Sequence, residues 1–453
     1  LPLTPTKLHT LKAAIQAMNI VMPTATLEIK NTIPVAIRRV AARATLLISV
    51  LVLVIAVRTA KFYLFGSPAL VDIDAFHIAS GLVWTGNLEQ AHSFDAFAML
   101  QHQITTSTSF LPWTYPPQFA LLFAPLSLLP VSVAYLIFVA SSFSLYLYIL
   151  KRISGDSLGY VILATFPCMA MNISCGQNGF LCAALLGITA LGLLAGRSVW
   201  AGVALGCLAS IKPHLAVAMI FYLLCSRNWI SLLAAASVVT ITAGLSTIIL
   251  GADYWMAWLG GLHESGVFLA RGLYPLFRMI SPYAVLRTLR VPPELCFIAQ
   301  GVAALCALVL IYKAHHRFSA RQAIGVVAAA TILVSPYVYD YDGTFLAIGL
   351  ALLIKELLTA ATRRELLALF IFCFGIGLIG TAEHLMWNNA QVQLYQDSGS
   401  LFSSSLSIKN LSSNLDGTLS PVCIGGVFGA CALVVLLRII NRACAPRSPL
   451  ISS

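Results

Sequence analysis

The sequence predicts an all-α polytopic membrane protein, and three observations carry that prediction. Of its 453 residues, 59% are hydrophobic and only 9% are Asp, Glu, Lys or Arg. Soluble domains carry about a quarter charged residues, so this chain cannot clothe a water-facing surface. Twelve apolar runs of helical length follow one another, most of them close to the roughly 20 residues that span a bilayer. Basic residues gather at alternate run ends, as they do where cytoplasmic loops retain Lys and Arg. That retention accounts for the net charge of +11. No basic face with interleaved aromatics appears, which argues against nucleic-acid binding. The 11 cysteines are scattered and form no CxxC pair, so they read as small buried hydrophobes rather than metal ligands or disulfides.

Residues 1–43 are mixed in character and include Lys7, Lys12, Lys30, Arg38, Arg39 and Arg43. They read as a cytoplasmic segment before an uncleaved first span, not as a signal peptide. Met22 offers an alternative start, which would leave residues 1–21 untranslated. The first run lies near 44–64. Further runs lie near 131–150, 157–174, 178–196, 198–211, 213–226, 229–251, 294–312, 321–336, 343–358, 365–387 and 421–441. The basic groups to be placed inside are the N-terminus, Lys151 with Arg152, Arg197, Arg227, the cluster from Lys313 to Arg321, Lys355 with Arg363 and Arg364, and Arg438, Arg442 and Arg447. Twelve spans then alternate with both termini in the cytoplasm. A single transmembrane domain is expected over 44–441, with a cytoplasmic tail at 442–453.

The other connections then face outward: 65–130, the turn at 176–177, 212–214, 252–293, 335–342 and 388–420. Nearly every unusual polar cluster falls on this face, although the clusters played no part in setting the topology. "VDIDAFHIASGLVWTG" (71–86) opens the first outer loop with Asp72 and Asp74, and its apolar spacing predicts a helix. Both carboxylates suit helix caps, and either suits catalysis. "WTYPPQFALLFAPLSLLP" (113–130) is too short to span. Its prolines force an extended entry, and Trp113 and Tyr115 suit the headgroup level. The piece reads as a cavity wall or as an amphipathic anchor.

"NISCGQNGFLCAALLG" (172–187) offers Gln177 and Asn178 at a glycine turn. "ASIKPHLA" (209–216) breaks two short helices with Lys212, Pro213 and His214, a pattern that fits a cavity or a Lys snorkelling at a kink. "VSPYVYDYDGTF" (334–345) sets Asp340 and Asp342 among Tyr337, Tyr339 and Tyr341. Rings with carboxylates suit sugar recognition, and they also suit an aromatic belt with solvated acids. The stretch 268–293 carries Arg271, Arg278, Arg287 and Arg290 on the outer side, against the local charge rule. Arginines there suit phosphate, whether of a substrate or of lipid headgroups. Loop 388–420 is rich in Ser and Asn.

Five of these motifs, in this order over about residues 70–355, resemble the membrane glycosyltransferases of family 87. These are polyprenol-phosphate-mannose-dependent mannosyltransferases of the GT-C superfamily. The resemblance implies a GT-C fold with amphipathic juxtamembrane helices in the first outer loop. It also implies a sugar donor on a polyprenyl monophosphate, a glycan or glycolipid acceptor, and inverting transfer without a nucleotide-sugar fold. It places the chain in a bacterial cytoplasmic membrane, with its site on the periplasmic or outer face. The acid of the first outer loop, the family's general base, corresponds to Asp72, with Asp74 as an extra acid that could share the role.

The remaining expectations follow from that chemistry. Arg271, Arg278, Lys212 and His214 would hold the donor phosphate, since a departing phosphate needs cations or N–H donors. Tyr115, Gln177, Asn178, Tyr339, Asp340 and Asp342 would meet sugar or acceptor. Trp113, Pro116 and Pro117 would line a lipid groove. No metal or cofactor is expected. A transporter or flippase of lipid-linked sugars is the competing reading, but it should show repeat symmetry between halves, and none is visible. An accessory subunit would leave the outer motifs idle.

Overall fold

The computed structural model describes residues 35–65, 70–105, 110–397 and 422–444, with side chains placed for all of these except 35–44, 65 and 381–397. The N-terminal segment up to residue 34, positions 398–421 of the expected outer loop and the tail from 445 lie outside the described residues.

The regular elements are helices: α1 (Val35–Phe65), α2 (Asp72–Gly81), α3 (Phe94–Thr105), α4 (Pro117–Ser127), α5 (Val131–Ser154), α6 (Leu158–Cys175), α7 (Gly179–Leu194), α8 (Ser198–Ile211), α9 (Pro213–Cys225), α10 (Trp229–Leu250), α11 (Tyr254–Ala270), α12 (Pro282–Thr288), α13 (Pro293–Arg317), α14 (Ala320–Ala330), α15 (Thr344–Ala360), α16 (Arg363–Asp397) and α17 (Gly425–Cys444). Among the described residues the β-structure is one isolated antiparallel bridge, Met279 with Tyr339.

Each of the twelve apolar runs is largely helical over its described residues. Six helical stretches are long and apolar enough to cross a membrane, and one of them, Val131–Cys175, contains both α5 and α6. Four further apolar helices are shorter: Gly179–Leu194, Ser198–Ile211, Pro213–Cys225 and Ala320–Leu333. These apolar helices make the chain a membrane protein. Helix α16 runs to Asp397, into the stretch expected to be loop from residue 388.

Prolines set several of the starts. Pro117, Pro213, Pro282 and Pro293 each begin a helix, where a missing N–H costs nothing and the fixed φ is already helical. The connecting helices α2, α3, α4, α11 and α12 assemble a cap at one end of the apolar helices. Its centre is Phe76, whose ring meets Trp113, Tyr115, Phe119, Phe123 and Phe138 edge-on at centroid distances of 5.0–6.2 Å. Such pairs add about 0.5–1.5 kcal/mol each beyond area burial, so α2 and α4 are locked onto α5. Trp84 clips the same helices together by donating to the Ala124 carbonyl and the Ser127 hydroxyl, each at 3.1 Å.

This packing revises the expectation for Trp113. The side chain is 0% exposed, so it packs inside the cap and does not present its ring to lipid. A Trp beside Pro reads the same in sequence at either place.

Candidate active site

A cavity of about 420 Å³ opens within this cap. Its walls come from the N-terminus of α2, the extended stretch 110–116, the Gln177 turn, the break at 212–214, one face of α11, the 273–278 segment and 335–341. Connections dispersed along the sequence therefore converge on one space.

Asp72 occupies the first position of α2, half-buried on the cavity wall. Its Oδ1 accepts from Gln177 Nε2 at 2.9 Å. Burial pushes its pKa up, while Arg278 and Lys212 pull it down and Asp340 adds to the rise. Asp74 does different work. Its Oδ2 accepts from the Val71 N–H at 3.0 Å, and its own N–H donates to the Val71 carbonyl at 2.9 Å. Asp74 thus caps the helix that carries Asp72, and it does not line the cavity.

Two cations face Asp72. Arg278 ends a 3-10 turn, Leu276–Arg278. The bridge between Met279 and Tyr339, with Ile280 N–H on the Val338 carbonyl at 2.8 Å, holds that turn against 338–340. Arg278 is thereby set for a two-point pair with Asp340, Nε to Oδ2 at 3.1 Å and Nη2 to Oδ1 at 3.0 Å. Lys212 sits at the break between α8 and α9, where Pro213 starts the second helix. Its Nζ donates to Asp342 Oδ1 at 2.9 Å. The Tyr341 ring lies 4.9 Å from Lys212 Nζ and 5.6 Å from the Arg278 guanidinium carbon, so its π-face is shared by both cations. Tyr339 stacks on Tyr341 at 5.2 Å.

Of the residues singled out in the sequence, the cavity collects Asp72, Trp113, Tyr115, Pro116, Gln177, Lys212, His214, Arg278 and Tyr339 on its wall. His214 Nε2 is buried and has no hydrogen-bond partner among the described residues. Asp340 and Asp342 stand behind the wall, at 0% and 1% exposure, as counter-ions to Arg278 and Lys212. Pro117 is buried at the start of α4, and Asn178 is buried behind the Gln177 turn. Arg271 is exposed and does not line the cavity.

The sequence contains two acid-x-acid pairs, 72/74 and 340/342, a spacing that can signal metal binding. Here the carboxylates of each pair diverge to different partners, as described above. Among the described residues no group of three or more His, Cys, Asp or Glu side chains could hold a metal ion.

Residues 113–336 match the family model described as glycosyltransferase family 87. Over these residues the chain belongs to that family. No curated protein and no solved structure matches the chain. The matched region of this family 87 glycosyltransferase contains Tyr115, Gln177, Lys212, His214 and Arg278, while Asp72 and Asp340 lie outside it.

Sequence reasoning missed several wall residues of this glycosyltransferase. Trp258, Leu262, Ser265 and Phe268 all face the cavity from α11. Their spacing of three and four residues is a helical stripe that was visible in 252–293, a segment read as a connection and, from 268, for its arginines. Ser265 Oγ meets the hydroxyls of Tyr274 at 2.8 Å and Tyr337 at 3.0 Å, which ties α11 to the two loops that carry Arg278 and Asp340. Cys175 was also missed. It accepts from Arg278 Nη2 at 3.4 Å, and nothing in its sequence context distinguished it from the other buried cysteines.

Proposed function

We propose that this cavity is the active site of a glycosyltransferase that moves mannose from a polyprenyl monophosphate to a glycan or glycolipid. The reaction takes place at the outer face of a bacterial cytoplasmic membrane. The observation that carries the reading is Asp72 on the cavity wall, facing Arg278 and Lys212.

A glycosyl monophosphate already holds its leaving group, so the chemistry needs one base and one anion site. In this reading Asp72 Oδ2 takes the proton of an acceptor hydroxyl. The hydroxyl oxygen attacks the anomeric carbon from the side opposite the phosphate. The C–O bond to phosphate breaks, and its electron pair leaves on the polyprenyl phosphate, which inverts the anomeric centre. As the phosphate gains one negative charge, Asp72 loses one, so the net charge of the site is unchanged. Arg278 and Lys212, held in place by Asp340 and Asp342, meet the charge that develops on the phosphate. They are oriented in advance, which is what makes such stabilisation effective.

His214 offers a further N–H to the phosphate. The rings of Tyr115 and Tyr339 offer faces for the sugar, and Trp113 with Pro116 shapes the wall along which the lipid enters. The alternation of basic run ends supports placing this cavity on the outer side, with the arginines of 268–293 as the local exception.

The test is transfer in proteoliposomes of purified protein with polyprenyl-phosphate mannose as donor and host lipid extract as acceptor. The reading predicts a mannosylated product from that donor and none from a nucleotide sugar. Movement of a polyprenyl-linked sugar across the vesicle with no product would replace it with a flippase.

A further inference from the structure

We propose that Gln177 is the positioning residue of Asp72, an amide clamped at its oxygen end so that its nitrogen can only point at the carboxylate. The inference rests on Asp72 being the base, and it makes Gln177 and the Tyr115 hydroxyl parts of the base assembly, leaving the Tyr115 ring for the sugar.

The clamp is read from three distances. Gln177 Oε1 accepts from the Asn178 N–H at 2.8 Å and from the Tyr115 hydroxyl at 2.9 Å, and Nε2 donates to Asp72 Oδ1 at 2.9 Å. A backbone N–H can only donate, so it identifies the oxygen end of the amide without ambiguity. The nitrogen end must therefore face Asp72. With Oδ1 engaged, Oδ2 is the oxygen left to receive a proton.

The turn that presents Gln177 is built for close approach. Gly176 has φ +66°, and a Cβ there would lie 2.7 Å from Cβ of Ile73, the residue after Asp72. The turn thus presses directly on the first turn of α2. Asn172 closes the turn from below. With its amide oriented to satisfy both atoms, it donates to the Gln177 carbonyl at 2.8 Å and accepts from the Gly179 N–H at 3.2 Å. Gln177 itself is 1% exposed, so its side chain is fixed by partners, not by solvent.

A neutral donor on a carboxylate favours the charged form. Gln177 therefore acts on Asp72 together with the groups that face it from neighbouring elements: Arg278, Lys212, Asp340, Cys175, Tyr115, Tyr339 and Tyr341. Gln177 is the neutral member of this set whose amide is oriented by a main-chain N–H of its own turn.

The experiment uses the full-length protein in proteoliposomes. Dicyclohexylcarbodiimide reacts with protonated carboxyl groups, and Asp72 is open to the cavity. Labelling of the Asp72 peptide is followed by mass spectrometry across pH, and mannosyl transfer is measured on the same preparations. Gln177→Glu keeps the shape and both clamp bonds but replaces the donor with a second carboxylate. Its labelling midpoint is expected to rise by about one pH unit or more. The acid limb of kcat/KM should move with it. Tyr115→Phe removes one clamp bond and should shift the midpoint the same way by less. A Gln177→Glu midpoint equal to that of the wild type overturns the inference. A shifted midpoint alongside a wild type that transfers no sugar keeps the placement of Gln177 on Asp72 and overturns the proposed reaction.

Discussion

The Arg278–Asp340 pair makes a prediction that can be worked from its geometry. Asp340 is 0% exposed and Arg278 8%. The carboxylate holds the guanidinium through two bonds of 3.1 and 3.0 Å and takes the Tyr341 N–H at 2.8 Å. Asp340→Asn retains an oxygen for Tyr341 but sets an NH₂ group against Arg278 Nε. One charge-assisted bond is lost, worth about 1.5–3 kcal/mol, and a buried guanidinium loses its counter-charge. Breaking a buried pair from one side costs about 3–5 kcal/mol, so Asp340→Asn should fall in that range. Arg278→Met with Asp340→Asn removes the stranded charge and should recover at least about 1 kcal/mol of the loss, because paired neighbours are not additive. The assay is reversible unfolding in mixed micelles by denaturing detergent, run as a double-mutant cycle. Equal stability of the single and double variants would refute the reasoning, since the cost would then come from shape and not from charge.

The other predictions follow from particular contacts. Gly380 of α16 lies so close to Asp340 that an added Cβ would collide with Oδ2, the oxygen that holds Arg278 Nε. Gly380→Ala should therefore raise KM for the lipid donor by about tenfold, one such bond being worth roughly 1.4 kcal/mol or more; an unchanged KM would remove Asp340 from the phosphate site. Burial pushes Asp72 above the ordinary carboxylate value of 3.8. A base must be unprotonated, so kcat/KM should fall with decreasing pH at a midpoint above that value, and a midpoint at or below it would count against Asp72. His92 contacts the Tyr254 hydroxyl, and burial lowers its pKa from 6.5 to about 4. The unfolded chain then binds a proton that the folded chain refuses, so stability should drop by on the order of 3 kcal/mol as pH falls from 6.5 to 4. His92→Phe should flatten that part of the stability profile, which unfolding midpoints at the two pH values would reveal. Pro116→Ala with Pro117→Ala should weaken use of the long-chain donor several-fold while sparing a short-chain analogue; equal loss with both would place the prolines outside the lipid path.

Much of this was legible in the sequence because it is local. Apolar runs announce helices, and Pro117, Pro213 and Pro293 announce their starts. The outer clusters around Asp72, Gln177, Lys212, Arg278 and Tyr339 stood out because polar groups between apolar runs are expensive there. The ion pairs were not legible. Lys212 and Asp342 are 130 positions apart, and Arg278 and Asp340 are 62 apart, so no spacing rule links them. Acids among tyrosines therefore read as sugar ligands, when their carboxylates hold the two cations instead. Asp74 was ambiguous for the opposite reason. Its cap bond to Val71 is wholly local, but the same acid two residues from Asp72 fits catalysis equally well until the direction of its side chain is known.

The most direct test of the account compares wild type, Asp72→Asn and Asp74→Asn in the proteoliposome transfer assay with polyprenyl-phosphate mannose. The account predicts a loss of about 100-fold or more in Asp72→Asn, the usual weight of a general base, and retained transfer in Asp74→Asn once loss of the helix cap is corrected for by the amount of folded protein. Near-normal transfer in Asp72→Asn would contradict it and move the base elsewhere in the cavity.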